Sequence, residues 1–250
     1  MGKSNVCKAY TKTDILFCVM KVSLIQNQSG NVLFMILIAI VLFGALSFTV
    51  ANMMNSGNTN YVGEEKAKLY ASEIIDYNRK LKQAVQNLRI SEGCDATEIS
   101  FANSTNAFFD HSSGPRDACK IFSASGGDMT YIPLNTSALD SSFSGNANYT
   151  VPYFTGGVRV LEIGTSNTEL LGAALFLKQT VCQSINEELG LGSTIPIDDA
   201  ALTYFTGAYT ASATPDLADE AASLEGEMSF CAQVGDGSPY YAYFSVLLPR

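Results

Sequence analysis

Residues 30–50, with the sequence GNVLFMILIAIVLFGALSFTV, decide how this chain is organised. The 19 residues from Val32 to Val50 include no charged side chain, and only Ser47 and Thr49 carry hydroxyl groups. As a helix rising about 1.5 Å per residue, this run is about 28 Å long, close to the thickness of a bilayer's hydrocarbon core. Backbone amides in lipid must bond internally, so we expect a transmembrane helix. The alternative, a buried core helix of a soluble protein, is disfavoured because few such helices are apolar on every side.

Charge is distributed unevenly around this apolar run. The formal net charge is −9, and residues 1–30 contribute +3 from four lysines and one aspartate, so residues 31–250 contribute −12. A basic flank ahead of an apolar helix keeps the N-terminus in the cytoplasm. We therefore expect the acidic C-terminal part to lie on the outer side of the membrane. The acidic balance also argues against nucleic-acid binding, so no nucleic-acid partner is predicted.

The six cysteines follow the same division of the chain. Two precede the apolar run, Cys7 and Cys18, and the others follow it, Cys94, Cys119, Cys182 and Cys231. Four cysteines in an exported domain predict two disulfides, with three possible connectivities. We favour the pairs of sequence neighbours, Cys94–Cys119 and Cys182–Cys231, each of which would stabilise the fold by about 3.5–4 kcal/mol in the loop-entropy picture. A zinc site is the alternative, but the sequence has no CxxC spacing and only one histidine.

A small residue, Gly30, stands directly before the apolar run, and the segment ahead of it is basic. An ordinary secretory signal would instead place small residues after the run, where residues 51–54 read Ala-Asn-Met-Met. This arrangement resembles the type IV pilin and pseudopilin family over residues 20–90. In that family a membrane peptidase cuts after the glycine and leaves the helix attached. The resemblance implies cleavage between Gly30 and Asn31, and a true start at Met20 would leave a leader of 11 residues.

The resemblance also implies how the protein would assemble. Subunits of that family pack their apolar helices against one another, which gives an assembly role to Val32, Leu33, Phe34, Met35, Leu37 and Ile40. Two positions depart from the family pattern. Asn31 takes the place of the common Phe or Met after the glycine, and Met35 takes the place of the usual Glu at the fifth mature position. These departures suggest a minor or divergent subunit.

Partners and location follow from the same resemblance. The implied partners are other pilin-like subunits, the prepilin peptidase, an inner-membrane assembly platform and the lipid bilayer. The implied location is the bacterial inner membrane, crossed once, with a cytoplasmic N-terminus and a periplasmic C-terminal domain. After assembly the domain would lie in an extracellular filament.

Beyond the apolar run the sequence changes character several times. We expect a prepilin-like leader over 1–30, a transmembrane helix over 31–51, a flexible break over 52–63, an amphipathic stem helix over 64–92 and an exported, disulfide-bonded globular domain over 93–250. The stem prediction rests on an apolar stripe with alternating spacings of three and four: Ala67, Tyr70, Ile74, Tyr77, Leu81, Ala84 and Leu88. Packing under a sheet is favoured over a coiled coil because the run is shorter than four heptads.

The expected fold class is α+β, with a long N-terminal transmembrane and stem helix packed on a small antiparallel sheet, a second helix and two disulfides. Strands are predicted over 129–134, 148–154, 158–163, 228–234 and 240–248, with a turn at 235–238 joining the last two. The second helix is predicted over 168–189, from apolar residues three or four positions apart. Gly156 and Gly157 are predicted to form a turn.

The sequence patterns typical of catalysis are not found. His111 has no Gly-x-Ser-x-Gly element to work with, and the chain carries no Walker A or GxGxxG motif. Asp198, Asp199 and acids within 216–220 could form an irregular calcium site, although solvated loop acids are the favoured interpretation. We therefore predict no enzyme activity, no cofactor and no metal.

Two hypotheses of different classes remain. The leading one is a structural, pilin-like or pseudopilin-like subunit of a type IV pilus or a type II secretion-like filament. The alternative is an unprocessed single-pass membrane protein whose periplasmic domain binds a ligand or a partner. The sequence does not separate the different filament systems, because these share one architecture.

Overall fold

The computed structural model describes residues 32–55, 59–111, 113–165, 167–199, 202–210, 216–235 and 238–250. For Leu33 and for residues 49–55 and 59–62 it describes the backbone only. The helices are α1 (Val32–Asn55), α2 (Thr59–Ser91) and α3 (Gln179–Leu189), and the strands are β1 (Tyr153–Val158), β2 (Glu169–Leu177), β3 (Ser229–Val234) and β4 (Tyr240–Leu248). Single turns of 3-10 helix lie at Asp117–Cys119, Thr136–Ala138, Ser141–Phe143 and Ala222–Leu224.

The chain divides into two compact units, Met1–Gly57 and Asn58–Arg250. The first unit contributes α1, and every side chain described in α1 is exposed. Among the residues that the structure describes, no helix is long and apolar enough to cross a membrane. The predicted leader, residues 1–30, lies outside the described residues. Of the predicted flexible break, residues 52–55 belong to α1 and residues 59–63 belong to α2.

The second unit is built on a four-stranded antiparallel sheet with the strand order β1-β2-β4-β3. The central strand β2 is buried along its whole length, because helices cover one face of the sheet and loops cover the other. The pair β3 and β4 is a hairpin in which Phe230 lies opposite Phe244. These strands confirm the predictions for 228–234 and 240–248.

Helices α2 and α3 cover the first face of the sheet. Nine residues of α2 are buried, spaced as one helical face: Ala67, Ala71, Ile74, Ile75, Asn78, Leu81, Ala84, Val85 and Leu88. The predicted stripe is therefore confirmed in five of its seven members. Tyr70 and Tyr77 are only half-buried, because the centre of the buried face lies one residue further round the helix. The two tyrosines stand at its flank.

Loops cover the opposite face. Residues 159–163 and 216–228 bring Val160, Ile163, Leu217 and Leu224 against the outward side chains of the sheet, such as Leu171, Phe230 and Phe244. Val160 forms a parallel bridge with Leu217, and the Leu161 N–H donates to the Leu217 carbonyl at 2.9 Å. Both faces of the sheet are consequently dry, so the strands read as nearly continuous apolar runs.

Both predicted disulfides are present. Cys94 is bonded to Cys119 and Cys182 is bonded to Cys231. The four-stranded antiparallel sheet, the helices and the two disulfides confirm the coarse α+β prediction. Because all four sulfurs are bonded to one another in pairs, none of them is a thiolate available to zinc.

Several finer predictions are wrong. The helix predicted over 168–189 is a strand in its first half, β2, and a helix only from Gln179. A fully buried strand carries apolar residues at every position, so it also satisfies helical spacing. No strand forms at 129–134 or over most of 148–154, and 158–163 is loop apart from Val158. Gly156 and Gly157, predicted to form a turn, lie within β1.

Candidate functional site

The predicted assembly residues lie on α1. The exposed fractions are 74% for Val32, 59% for Phe34, 65% for Met35, 54% for Leu37 and 66% for Ile40. Leu33 belongs to the same helix, while Gly30 and Asn31, the predicted processing site, lie outside the described residues. Large apolar side chains are thus uncovered along the described length of α1. In total, twelve large apolar side chains of α1 are exposed in the structure.

The disulfides join elements that are remote in sequence. Cys119 ties the loop at 116–121 to Cys94, whose N–H donates to the carbonyl of Leu88 at the end of α2. Cys182 lies in the first turns of α3 and is bonded to Cys231 in β3, the outer strand of the sheet. All four cysteines are buried. Cys182–Cys231 thus holds α3 to the sheet, and Cys94–Cys119 holds the segment after α2 to the loop at 116–121.

A groove runs along the flank of α2, and we refer to it as the α2 groove. Its volume is about 790 Å³. One wall is α2 itself and the other is the segment 128–138 with Pro152. Tyr77 joins the two walls, because its hydroxyl donates to the Thr130 carbonyl at 3.3 Å and accepts from the Ile132 N–H at 3.4 Å. Burial raises the pKa of Tyr77 to about 12.

The α2 groove is lined by both apolar and charged side chains. Tyr70 and Tyr77 stand two helical turns apart on the α2 wall, and Glu73 stands between them. Asp128 faces the groove from the opposite wall. In the described structure neither Glu73 nor Asp128 forms an ion pair, whereas the neighbouring Asp76 is bound by Arg79 at 3.1 Å. Lys80 also lines the groove. The charges of the groove that form no ion pair in the described structure are thus those of Glu73, Asp128 and Lys80.

Three aspartates meet at a second place, away from the groove. One carboxylate oxygen each from Asp198, Asp199 and Asp219 lie within 4.8 Å of one another. Asp198 is buried and accepts backbone N–H groups from Ala218 at 2.7 Å and from Asp199 at 2.9 Å. Burial raises the pKa of Asp198 to about 6. The sequence had singled out these acids, and the structure brings three of them together as the candidate metal ligands among its described residues.

A buried carboxyl at the start of β2 escaped the sequence analysis. Glu169 is fully buried, and its Oε2 accepts the Val160 N–H at 2.8 Å. Its Oε1 has no hydrogen-bond partner in the described structure. Arg159 lies nearby but forms its ion pair with Asp216. Burial raises the pKa of Glu169 to about 7, so this group changes its charge near neutral pH.

The single histidine stabilises a loop. Its Nε2 lies 2.7 Å from the Thr97 carbonyl oxygen, and its Nδ1 lies 2.8 Å from the hydroxyl of Ser113. The ring of His111 fills the space beside Gly207, where an added Cβ would overlap the ring. No described carboxylate hydrogen-bonds to this ring, so the arrangement of a Ser-His-Asp triad is not formed there.

The tyrosine wall of the α2 groove, Tyr70 and Tyr77, was not among the predicted site residues. Both tyrosines were predicted to belong to the buried stripe of α2. In the structure they are half-buried and stand at the flank of the buried face. Glu169 gave no signal, because it stood in the first turn of the helix predicted over 168–189, where an acidic residue is common. No protein-family model, characterised protein or solved structure matches this chain.

Proposed function

We propose that this chain is a structural, pilin-like or pseudopilin-like subunit. It is held in the bacterial inner membrane by its apolar N-terminal helix, with a cytoplasmic N-terminus and a periplasmic domain. A prepilin peptidase removes the leader after Gly30. The helix then packs with those of other subunits in a type IV pilus or a type II secretion-like filament, on an inner-membrane assembly platform.

The apolar surface of α1 is the observation that carries the proposal. Twelve large apolar side chains of one helix are exposed, with exposed fractions from 39% to 74%. Covering one such side chain is worth about 1.5–3 kcal/mol, so leaving all of them in water would cost tens of kcal/mol. In the sequence, the run from Val32 to Val50 contains no charge and follows a basic flank. The sequence pattern suits lipid as the cover, although no helix among the described residues is long and apolar enough to cross a membrane.

The globular unit supports the proposal in two further ways. Two disulfides tie it together, which suits an oxidising compartment outside the cytoplasm. Its helix α2 lies on a small antiparallel sheet through a buried face of small and branched residues. This is the arrangement that the pilin resemblance implies for the outer part of the stem. The resemblance itself rests on the sequence.

Filament formation would replace lipid around α1 with copies of the same helix. Helices in a bilayer gain little hydrophobic energy by associating, so close packing and the exchange of lipid for protein drive such contacts. Met35 offers no carboxylate to the N-terminal amine of a neighbouring subunit. The chain therefore lacks one attraction that the family commonly uses, which suits a minor or divergent subunit.

A charge placed in α1 tests the proposal. In cells that make the filament system, we expect the wild-type chain in membranes and in sheared filaments. Ile40→Lys should be lost from both fractions, because a lysine at the centre of the apolar run is costly in lipid. Ile197→Lys is the matched control, since Ile197 is exposed to a similar degree, 65% against 66%, but belongs to the globular unit. Equal partition of all three proteins would overturn the proposal.

The α2 groove favours a second candidate function, an unprocessed membrane protein whose periplasmic domain binds a ligand or partner. Its volume of about 790 Å³ is within the range of ligand sites. Retention in membranes, together with a complete absence from sheared filaments, would favour this alternative. The same fractionation therefore separates the two functions.

A further inference from the structure

We propose that the α2 groove receives the C-terminal corner of α2 from a second copy of this chain. The corner consists of Arg89 and Ile90. This contact rests on the proposed filament function, and it names the surfaces through which neighbouring globular units would touch.

The groove supplies an apolar cleft with unpaired acids at its rim. Tyr70, Tyr77 and Ile132 line the cleft, and Ile132 is 54% exposed at its edge. Glu73 and Asp128 face the cleft from opposite walls, and neither forms an ion pair among the described residues. Lys80 also lines the groove and forms no ion pair in the described structure, so Glu73 and Asp128 leave a net charge of −1 beside the cleft. An apolar side chain with one cation beside it complements this surface.

The corner of α2 offers this pair. Ile90 is 83% exposed, the largest exposed fraction of any large apolar side chain in the described structure. Arg89 lies next to it in the last turn of α2 and is exposed. No described carboxylate forms an ion pair with Arg89, although Arg116 on the following loop is bound to Glu98 at 3.1 Å. The corner thus carries an uncovered isoleucine and a guanidinium that forms no ion pair in the described structure and interacts electrostatically with Tyr209.

The two surfaces complement each other in chemistry. Ile90 would leave water for the space between the tyrosines and Ile132, and Arg89 would reach the carboxylates at the rim. Opposite charges that meet across an interface fix its register as well as adding attraction. Arginine also stacks on aromatic rings, which two tyrosines at this wall would allow.

The contact is heterologous, since a groove on one copy meets a different surface on the next. Contacts of this type extend into open helical assemblies unless the rotation closes a ring. The groove and the corner lie on the same helix. Ile90 follows Tyr77 by 13 residues and Tyr70 by 20 residues. With copies in parallel orientation, successive units joined this way would be offset by about 20–30 Å along α2.

Cysteine crosslinking tests the contact in the full-length protein. Two tagged variants are produced together in cells that make the filament, Ile90→Cys in one copy and Ile132→Cys in the other, both with Cys7→Ser and Cys18→Ser. A short bismaleimide should join the two tags. Ile197→Cys replaces Ile132→Cys as the control, because Ile197 is exposed but lies outside the groove. A crosslink between the two tags that is no stronger than in the control would overturn the contact. A crosslink of Ile132→Cys only to a different protein would also overturn it.

Charge exchange gives an independent test of the same pair. Arg89→Glu in the Ile90→Cys copy should lower the crosslink yield by roughly fivefold. Glu73→Arg in the other copy should restore a substantial part of the loss, since the charges then meet in the reverse order. An unchanged yield in Arg89→Glu would also overturn the contact.

The two proposals fail in different ways. If the chain enters filaments but the crosslink does not form, the filament function is retained and this contact is refuted. A wild-type chain that never enters filaments removes both, because the contact has been proposed for neighbouring subunits.

Discussion

The side-chain amide of Asn186 forms two hydrogen bonds with the backbone of Cys231. Its Nδ2 donates to the Cys231 carbonyl and its Oδ1 accepts from the Cys231 N–H, each at 2.8 Å. Asn186 lies in α3, one turn beyond Cys182, which is bonded to Cys231 through sulfur. Because β3 is an outer strand, its backbone needs partners beyond the sheet. One buried amide thus continues the sheet at a single residue.

Loss of this amide should destabilise the globular unit. We expect Asn186→Ala to lower the free energy of unfolding by about 2–4 kcal/mol, because a buried N–H and a buried carbonyl lose their partners. Chemical denaturation of the oxidised full-length protein in detergent measures the change. Asn167→Ala is the control, as Asn167 is exposed in a loop. Equal unfolding midpoints for both variants would contradict the assigned role.

The close approach of α2 to β2 makes a second prediction. A Cβ added at Gly172 would lie 2.5 Å from Oδ1 of Asn78, a buried residue whose amide donates to the Ile74 carbonyl. Gly172→Ala should therefore cost about 1–3 kcal/mol of stability through overpacking. Gly145→Ala is the matched control, because no atom lies within 4 Å of its added Cβ.

A double-mutant cycle separates this clash from a general effect of alanine. In an Asn78→Ala background the space beside Gly172 is open, so Gly172→Ala should cost at least about 1 kcal/mol less than in the wild type. Thermal unfolding of the four proteins provides the cycle. Full additivity would show that the two residues do not limit the packing of α2 on the sheet.

Buried Glu169 predicts how stability depends on pH. Its pKa is raised from 4.5 to about 7, so the folded protein holds the proton more tightly than the unfolded chain does. The stabilisation of the folded protein by the protonated Glu169 carboxyl is fully present below pH 4.5 and is lost as pH rises to about 7. Asp198, with a pKa raised from 3.8 to about 6, acts in the same direction over a lower range. Stability should therefore decrease from mildly acidic to neutral pH.

Replacing Glu169 isolates its share of this effect. Glu169→Gln cannot ionise, so above pH 7 it should be more stable than the wild type by about 2 kcal/mol. The decrease of stability with pH that remains in this variant comes from Asp198 and should end near pH 6. Unfolding midpoints measured between pH 4 and pH 8 test this. Glu162→Gln is the control, because Glu162 is an exposed acid close by in the chain. A wild-type slope in Glu169→Gln would assign the effect to another group.

The parts of this fold that could be predicted from the sequence are those with a recognisable local pattern of residues. The hairpin of β3 and β4 followed from two apolar strands around a Gly-rich turn, and the disulfides followed from cysteine order. The stripe of α2 followed from its period, with an error of one residue in its centre. That small error hid the tyrosine wall of the α2 groove.

The remaining features depend on tertiary contacts that a single sequence does not reveal. β2 reads as a helix because both of its faces are buried, and only the pairing with β1 and β4 determines its form. Gly156 reads as a turn, yet its lack of a Cβ lets the ring of Phe205 approach, where an added Cβ would lie 2.7 Å away. Glu169 and Asn186 are polar residues whose burial follows from loops and strands far away in the chain.

Processing at Gly30 is the most direct test of the central claim. Intact mass and N-terminal sequencing are carried out on protein from membranes of cells with and without a prepilin peptidase. We expect a mature chain that begins at Asn31 only where the peptidase is present, and a chain that keeps its leader where the peptidase is absent. A leader retained in both strains would contradict the pilin pathway and leave an uncleaved membrane anchor.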